Sequence, residues 1–169
     1  NGNGRDEISI ETDAGRLLAW RAEGGEISVD MGPVATGWRD VPLAHEMDTL
    51  AVPLGIDGLG DAVCHSVGNP HAVVFVDDAE AVDLARLGPL AEHAALFPQR
   101  VNLSVVSRIG DAAFRMRVWE RGVGITMACG SGACAVGAAV VRRGLGPRAN
   151  RIVMDGGTVG IDWNPDSRH

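Results

Sequence analysis

The stretch Arg117-Val118-Trp119-Glu120-Arg121-Gly122-Val123-Gly124-Ile125-Thr126-Met127-Ala128-Cys129-Gly130-Ser131-Gly132-Ala133-Cys134-Ala135 decides the fold. An apolar strand runs into a glycine-rich turn, and the turn delivers Cys129 to the start of an alanine-rich helix. The composition of 133–143, nearly all Ala, Val and Arg, predicts that helix. Arg142 and Arg143 suit the negative end of its dipole, and Gly144 is placed to end it. The segment 133–141 is apolar all round, as a buried helix is. A thiol at the helix start meets unpaired N–H groups and the positive end of the dipole, which favour thiolate. A thiolate is a nucleophile or a base, and the same N–H groups can hold a carboxylate or a developing oxyanion. Cys134, five positions on, points elsewhere on the helix and reads as a small buried apolar residue.

Outward from that segment the chain reads as strands joined by short turns. Strands are expected over 7–12, 16–21 and 26–31, separated by Asp13-Ala14-Gly15 and Glu23-Gly24-Gly25. A loop with Trp38 follows over 32–41. Ala51-Val52-Pro53-Leu54 reads as a short edge strand, because Pro53 cannot donate to a ladder. Strands over 62–67 and 72–76 flank the break Gly68-Asn69-Pro70-His71. A short helix is expected over 83–87, and a second from Pro89 to about Leu96. Hairpins are expected over 101–109 with 112–119, and over 151–154 with 158–163 around Asp155-Gly156-Gly157. The ends, 1–4 and 164–169, read as loops. The pattern predicts one α+β domain over 1–169, a curved and mostly antiparallel sheet wrapped around a central apolar helix.

Composition narrows the chemistry. The chain has 169 residues, 46% of them hydrophobic, enough for one well-buried domain. No long apolar run suggests a membrane span, and no signal pattern opens the sequence. A net charge of −7 argues against nucleic acid as a partner. Three cysteines without framework spacing fit a reducing cytoplasm. The five histidines are scattered, so no metal site is expected. All 15 basic residues are arginines. Without lysine this chain cannot hold pyridoxal phosphate as a Schiff base, nor build a Walker-type phosphate loop.

The motifs Gly68-Asn69-Pro70-His71-Ala72-Val73-Val74-Phe75, Arg100-Val101-Asn102-Leu103, Val118-Trp119-Glu120-Arg121-Gly122 and Ala128-Cys129-Gly130-Ser131-Gly132-Ala133-Cys134 resemble diaminopimelate epimerase in order and spacing. Asp155-Gly156-Gly157 fits the same pattern. The resemblance runs from about Asp6 to Trp163. It implies cofactor-independent inversion of an α-carbon of diaminopimelate by two cysteines, one from each of two pseudo-symmetric domains. It covers the second of those domains only, so an N-terminal domain carrying the partner thiol is an expected partner, and a homodimer is another. The partner thiol sits in a Cys-Gly-Asn-Gly turn, which Gly2-Asn3-Gly4-Arg5 echoes faintly, with Asn1 in the thiol's place. Ile125 stands where many members have Glu. By the resemblance Cys129 is the second catalytic thiol, and Asn69, Asn102, Glu120, Arg121, Gly130 and Ser131 contact substrate. His71 and Glu120 match groups that tune the two thiols.

The residues themselves ask for similar roles. Inverting a stereocentre without a cofactor needs a base on one face and an acid on the other, which two thiols can supply. Glu120 beside Cys129 would raise the thiol pKa, but could accept the thiol proton. Arg121 can pair bidentately with a carboxylate. Asn69 shapes a turn, and Asn102 in an apolar strand needs partners. His71 alone reads as a structural histidine. Cys64 and His65 face opposite sides of a strand, which speaks against a Cys64 nucleophile. Two other readings stay open: a proline racemase-like enzyme of the same fold, and a non-catalytic domain that binds a carboxylate or dimerises.

Overall fold

The computed structural model describes residues 7–12, 15–22 and 24–169. Asp13 and Ala14 of the first expected turn, Glu23 of the second, the expected loop over 1–4 and the Gly2-Asn3-Gly4-Arg5 echo lie outside the described residues. The elements are β1 (Glu7–Thr12), β2 (Gly15–Arg21), β3 (Ile27–Asp30), β4 (Ala62–Ser66), β5 (Pro70–Phe75), α1 (Leu84–Glu92), β6 (Asn102–Gly110), β7 (Ala113–Glu120), β8 (Gly124–Thr126), α2 (Gly130–Arg142), β9 (Ala149–Met154) and β10 (Gly157–Asp162).

The larger sheet has the order β10-β9-β7-β6-β5-β4, with β8 paired to β7. Its pairs are antiparallel except β5 with β6 and β7 with β9. One face packs on α2 through Val73, Val106, Phe114, Met116 and Val118. The other packs on α1 and its flanking loops through Ala72, Val74, Leu103 and Val105. Burial of both faces explains why β5 is apolar from Ala72 to Phe75 without alternation. The expected α+β architecture, a mostly antiparallel sheet around a central helix, is the observed one. A separate sheet, β1-β2-β3, is built from the two N-terminal hairpins.

Helix α2 is buried along nearly its whole length, from Gly132 to Val140. It starts at Gly130, ahead of the expected 133, because Cys129 caps it: the extended backbone of Cys129 lets its sulfur accept the Gly132 N–H. Gly144, at φ +64°, closes it as expected. Arg142 in the last turn donates to the Cys64 carbonyl and to Thr49 Oγ1.

Several expectations are corrected. One helix, Leu84–Glu92, replaces the two expected across Pro89. Asp83 caps it, and the hydrogen bond that Pro89 cannot make would have gone to Ala85, whose exposed position lets water take its place. The expected edge strand over 51–54 reduces to a single bridge, Val52 to Ala62. The break before β5 is shorter than expected, because Pro70 and His71 belong to the strand; proline is tolerated as its first residue. Strand β8 lies within what reads as a turn, since it is only three residues long and Gly122 and Gly124 mark a turn there. The tail 164–169 is docked, not loose: the Arg168 carbonyl accepts from Val34 N and from Trp163 Nε1.

Candidate active site

Parallel β5 and β6 begin side by side, with His71 opposite Asn102, and antiparallel β7 returns to finish there, with Trp119 opposite Leu103. The N-terminus of α2 opens at the same end. A cleft of about 670 Å³ borders it, lined by Gly68, Asn69 and Ser131 together with Arg16, Met31 and Pro33.

Cys129 is 7% exposed. Its Sγ accepts from Gly132 N at 3.4 Å and lies 3.6 Å from Ser131 Oγ. Space at Gly132 is tight: a Cβ would stand 2.7 Å from Met116 Cε and 3.2 Å from Sγ, so the methionine would have to shift. The first-turn N–H groups of Gly130 and Ser131 have no carbonyl four residues back to bond, so they remain able to receive an anion. The expectation of a thiolate is corrected. Burial pushes the Cys129 pKa up, the Ser131 and Gly132 donors pull it down, and the adjacent Glu120 carboxylate raises it again. The net direction is upward, so the group rests as a thiol.

Glu120, half-buried at the end of β7, accepts a hydrogen bond on Oε1 from Thr126 Oγ1 at 2.5 Å. The pairing of β8 with β7 brings Thr126 there, opposite Val118. A carboxylate oriented beside Sγ can take the thiol proton. Nothing in the sequence marks Thr126 as a site residue, because its strand is not legible there.

Asn102 is buried, as an amide with partners should be. Its Nδ2 donates to the Pro70 carbonyl at 2.8 Å and its Oδ1 accepts from Arg121 N at 2.9 Å. It therefore ties the Asn69-Pro70 corner to the Glu120-Arg121 turn. Arg121 is exposed, and its Nη1 donates to the Gln99 carbonyl. His71 is fully buried; its Nε2 donates to Asn69 Oδ1 at 2.9 Å, and Nδ1 has no partner. Burial, helped by Arg121, lowers the His71 pKa to about 3, so it is a neutral imidazole. Asn69, His71, Asn102, Glu120, Arg121, Cys129, Gly130 and Ser131 thus fall in one region of the fold.

The other cysteines lie apart. Cys64 is fully buried and its pKa is raised to about 12, chiefly by burial. Cys134, expected to be buried, is partly buried against the core and lines a separate cavity of about 280 Å³ with Trp20 and Trp163. Burial, with Cys129 adding to it, raises its pKa to about 11. Among the described residues no His/Cys/Asp/Glu cluster could hold a metal ion, and no helix is long and apolar enough to cross a membrane.

Two buried histidines give a pH signature. His65 donates from Nε2 to the Ala135 carbonyl, and burial and Arg142 lower its pKa to about 3, as for His71. The unfolded chain binds those protons near pH 6.5 and the folded chain near 3. Their contribution is therefore complete above about pH 6.5 and is lost as pH falls, at up to about 1.4 kcal/mol per pH unit for each imidazole. Urea midpoints should drop between about pH 7.5 and 5.5; a flat midpoint would contradict neutral buried imidazoles.

The comparisons with known proteins agree with one another. A family model described as diaminopimelate epimerase matches residues 63–169. The diaminopimelate epimerase of Rhodospirillum centenum is 54% identical over 166 residues, 98% of this chain and 57% of that protein. That of Erythrobacter litoralis is 47% identical over 161 residues, 95% of this chain and 60% of that protein. The chain therefore spans about 57–60% of the length of these relatives. A solved hydroxyproline epimerase from Agrobacterium vitis, with bound trans-4-hydroxy-L-proline, matches at a TM-score of 0.61 and 18% identity, covering 96% of this chain and 52% of that one. That likeness shows a shared fold. By the family model and by relatives about half identical over nearly its whole length, the chain belongs to the diaminopimelate epimerase family.

Proposed function

We propose that this chain is the C-terminal domain of a cofactor-independent epimerase that interconverts LL- and meso-diaminopimelate, in lysine and peptidoglycan precursor synthesis, and that Cys129 is one of its two proton-transfer thiols. The observation that carries the reading is the Cys129 sulfur at the mouth of α2, with Ser131 and Gly132 as donors and Glu120 beside it.

The chemistry follows from that geometry. Glu120, held by Thr126, accepts the Sγ proton when substrate displaces water from the cleft. The thiolate then takes the α-proton, and the C–H electron pair passes into the substrate carboxylate. Unpaired N–H groups at Gly130 and Ser131 stabilise the charge that gathers there. A thiol on the opposite face returns a proton to carbon, and the reverse reaction exchanges the two roles. Arg121, exposed at the rim, suits the second carboxylate of a dicarboxylic substrate. Asn69 and Asn102 shape the wall against which the substrate lies, and neutral His71 belongs to that wall.

On this reading the opposite thiol comes from another domain, since Cys64 is sealed in the core and Cys134 opens on a separate cavity. The N-terminal sheet supports a further domain. Register places Ile8, Ile10, Ile27 and Val29 on one face, and all are exposed, Ile8 at 64% and Ile27 at 63%. A face of that kind on a three-stranded sheet asks for a covering partner. Free thiols of this kind also suit a reducing compartment such as the cytoplasm.

The 169-residue chain alone should give no measurable epimerisation, whereas an enzyme combining it with a thiol-bearing N-terminal domain should turn over without added cofactor. Following the circular dichroism of LL-diaminopimelate tests both. Robust turnover by the chain alone, lost in Cys129→Ala, contradicts the two-domain reading. An inactive two-domain enzyme contradicts the assigned reaction and favours a carboxylate-binding fragment.

A further inference from the structure

Glu92 ends helix α1, is 3% exposed, and has no part in the proton transfers described above. One of its oxygens meets the end of β7 and the other meets the turn that follows. Oε2 accepts from Trp119 Nε1 at 2.7 Å, and Oε1 accepts from Gly122 N at 2.8 Å. These two contacts bracket Glu120 and Arg121 in sequence, one residue before the pair and one after. The facing charges are few: Arg100 Nη1 lies 3.6 Å from Oε1 and His93 Nε2 lies 4.0 Å away. Arg100 reaches it from a left-handed backbone at φ +61°, a conformation that costs a non-glycine residue energy and is kept where surrounding contacts require it. On the other side Trp119 rests directly on Gly88 of the same helix, where a Cβ would come within 2.4 Å of the indole. Asn102 holds the backbone N–H between the two contacts, that of Arg121. A buried carboxylate is costly unless it is hydrogen-bonded and paired, and Glu92 meets that condition only through this turn and Arg100.

We propose that Glu92 is a positioning residue: by gripping Trp119 and Gly122 it fixes the turn that aims Glu120 at the Cys129 sulfur. This rests on the reading of Glu120 as the carboxylate that acts on Cys129, and the test separates the two. Glu92→Gln keeps the shape but turns one acceptor into a donor facing an N–H, so one grip is lost. Glu120 then swings away from Sγ, and the thiolate becomes easier to form.

The readout is the pH dependence of Cys129 alkylation in the 169-residue chain, followed by peptide mapping. Glu120→Gln removes the neighbouring charge and should raise the labelling rate at pH 7.5 about threefold to tenfold. Glu92→Gln should move the profile the same way, by at least about twofold in rate at that pH. In the Glu120→Gln background Glu92→Gln should add nothing, because the grip then has no carboxylate to aim. A general loosening of the fold would speed labelling equally in both backgrounds, and that result overturns the proposal. So does a folded Glu92→Gln with the parental profile when Glu120→Gln shifts it. If Glu120→Gln itself leaves the profile unmoved, the parent reading fails and this one with it. Should Glu92→Gln not fold, Trp119→Phe removes one of the two N–H partners and keeps most of the ring packing. Its profile should shift toward that of Glu120→Gln, and a parental profile in that folded variant overturns the proposal.

Discussion

Cys129→Ala should lower interconversion of LL- and meso-diaminopimelate by the two-domain enzyme by at least about 10²–10⁴-fold, the usual cost of removing a positioned general acid or base. On the proposed mechanism the substitution deletes the sulfur that carries the proton between substrate and Glu120. It also removes the N-cap acceptor of Gly132 N, so a loss of about 1 kcal/mol in stability should accompany it. Cys129→Ser separates the two effects. The hydroxyl restores the cap, and stability with it, but remains a poor base, so activity stays low. Circular dichroism of the substrate and urea midpoints of both variants check this. A Cys129→Ala enzyme within about tenfold of the parent rate would remove Cys129 from the chemistry.

Gly88→Ala should destabilise the chain even though it improves helix propensity. Alanine in place of glycine inside a helix is worth about 1 kcal/mol. Here the new Cβ would stand 2.4–2.6 Å from three atoms of the Trp119 indole. The ring is rigid, and its Nε1 is tied to Glu92 Oε2, so it cannot step aside without releasing that bond. Overpacking of this kind costs about 1–3 kcal/mol or more, and the clash wins. A fall in Tm of several degrees is expected for a domain of this size, about 2–4 °C per kcal/mol. The displaced ring would also carry the Glu120 turn with it, so catalysis should fall further than stability alone explains. An unchanged or higher Tm would mean that the helix and β7 are less closely packed than the structure has them.

The elements legible in the sequence are those whose signal is local. Helix α2 announces itself through its run of Ala and Val, its terminal arginine and Gly144. Its first turn does not, because cysteine is not among the usual capping residues and Gly130-Ser131-Gly132 reads as a turn until the sulfur is placed. Pro89 reads as a helix start because its cost inside a helix depends on whether water reaches the carbonyl it leaves unpaired, which is a property of the folded surface. Strand β8 is held by pairing with β7, not by its own composition, so its register and the Thr126 contact to Glu120 were hidden together.

The candidate site shows the same division. Asn102 stands out as an amide in an apolar strand, and its two hydrogen bonds answer the expectation. Glu92 looks like an ordinary polar residue at a helix end, and only packing reveals both oxygens turned inward. For Cys129 the sequence points to donors at the helix start and to an opposing Glu120 charge, but the balance turns on burial, which is a tertiary quantity and with Glu120 outweighs the Ser131 and Gly132 donors.

The order in which the three thiols react with iodoacetamide tests the central claim most directly. Cys64 is sealed with its pKa raised to about 12, and Cys134 is raised to about 11, while only Cys129 has Ser131 and Gly132 donors on its sulfur. Brief treatment of the folded chain near pH 8, followed by peptide mapping, should find Cys129 carboxamidomethylated first, Cys134 later and Cys64 last. Equal labelling, or Cys134 ahead of Cys129, would contradict a reactive sulfur held at the mouth of α2.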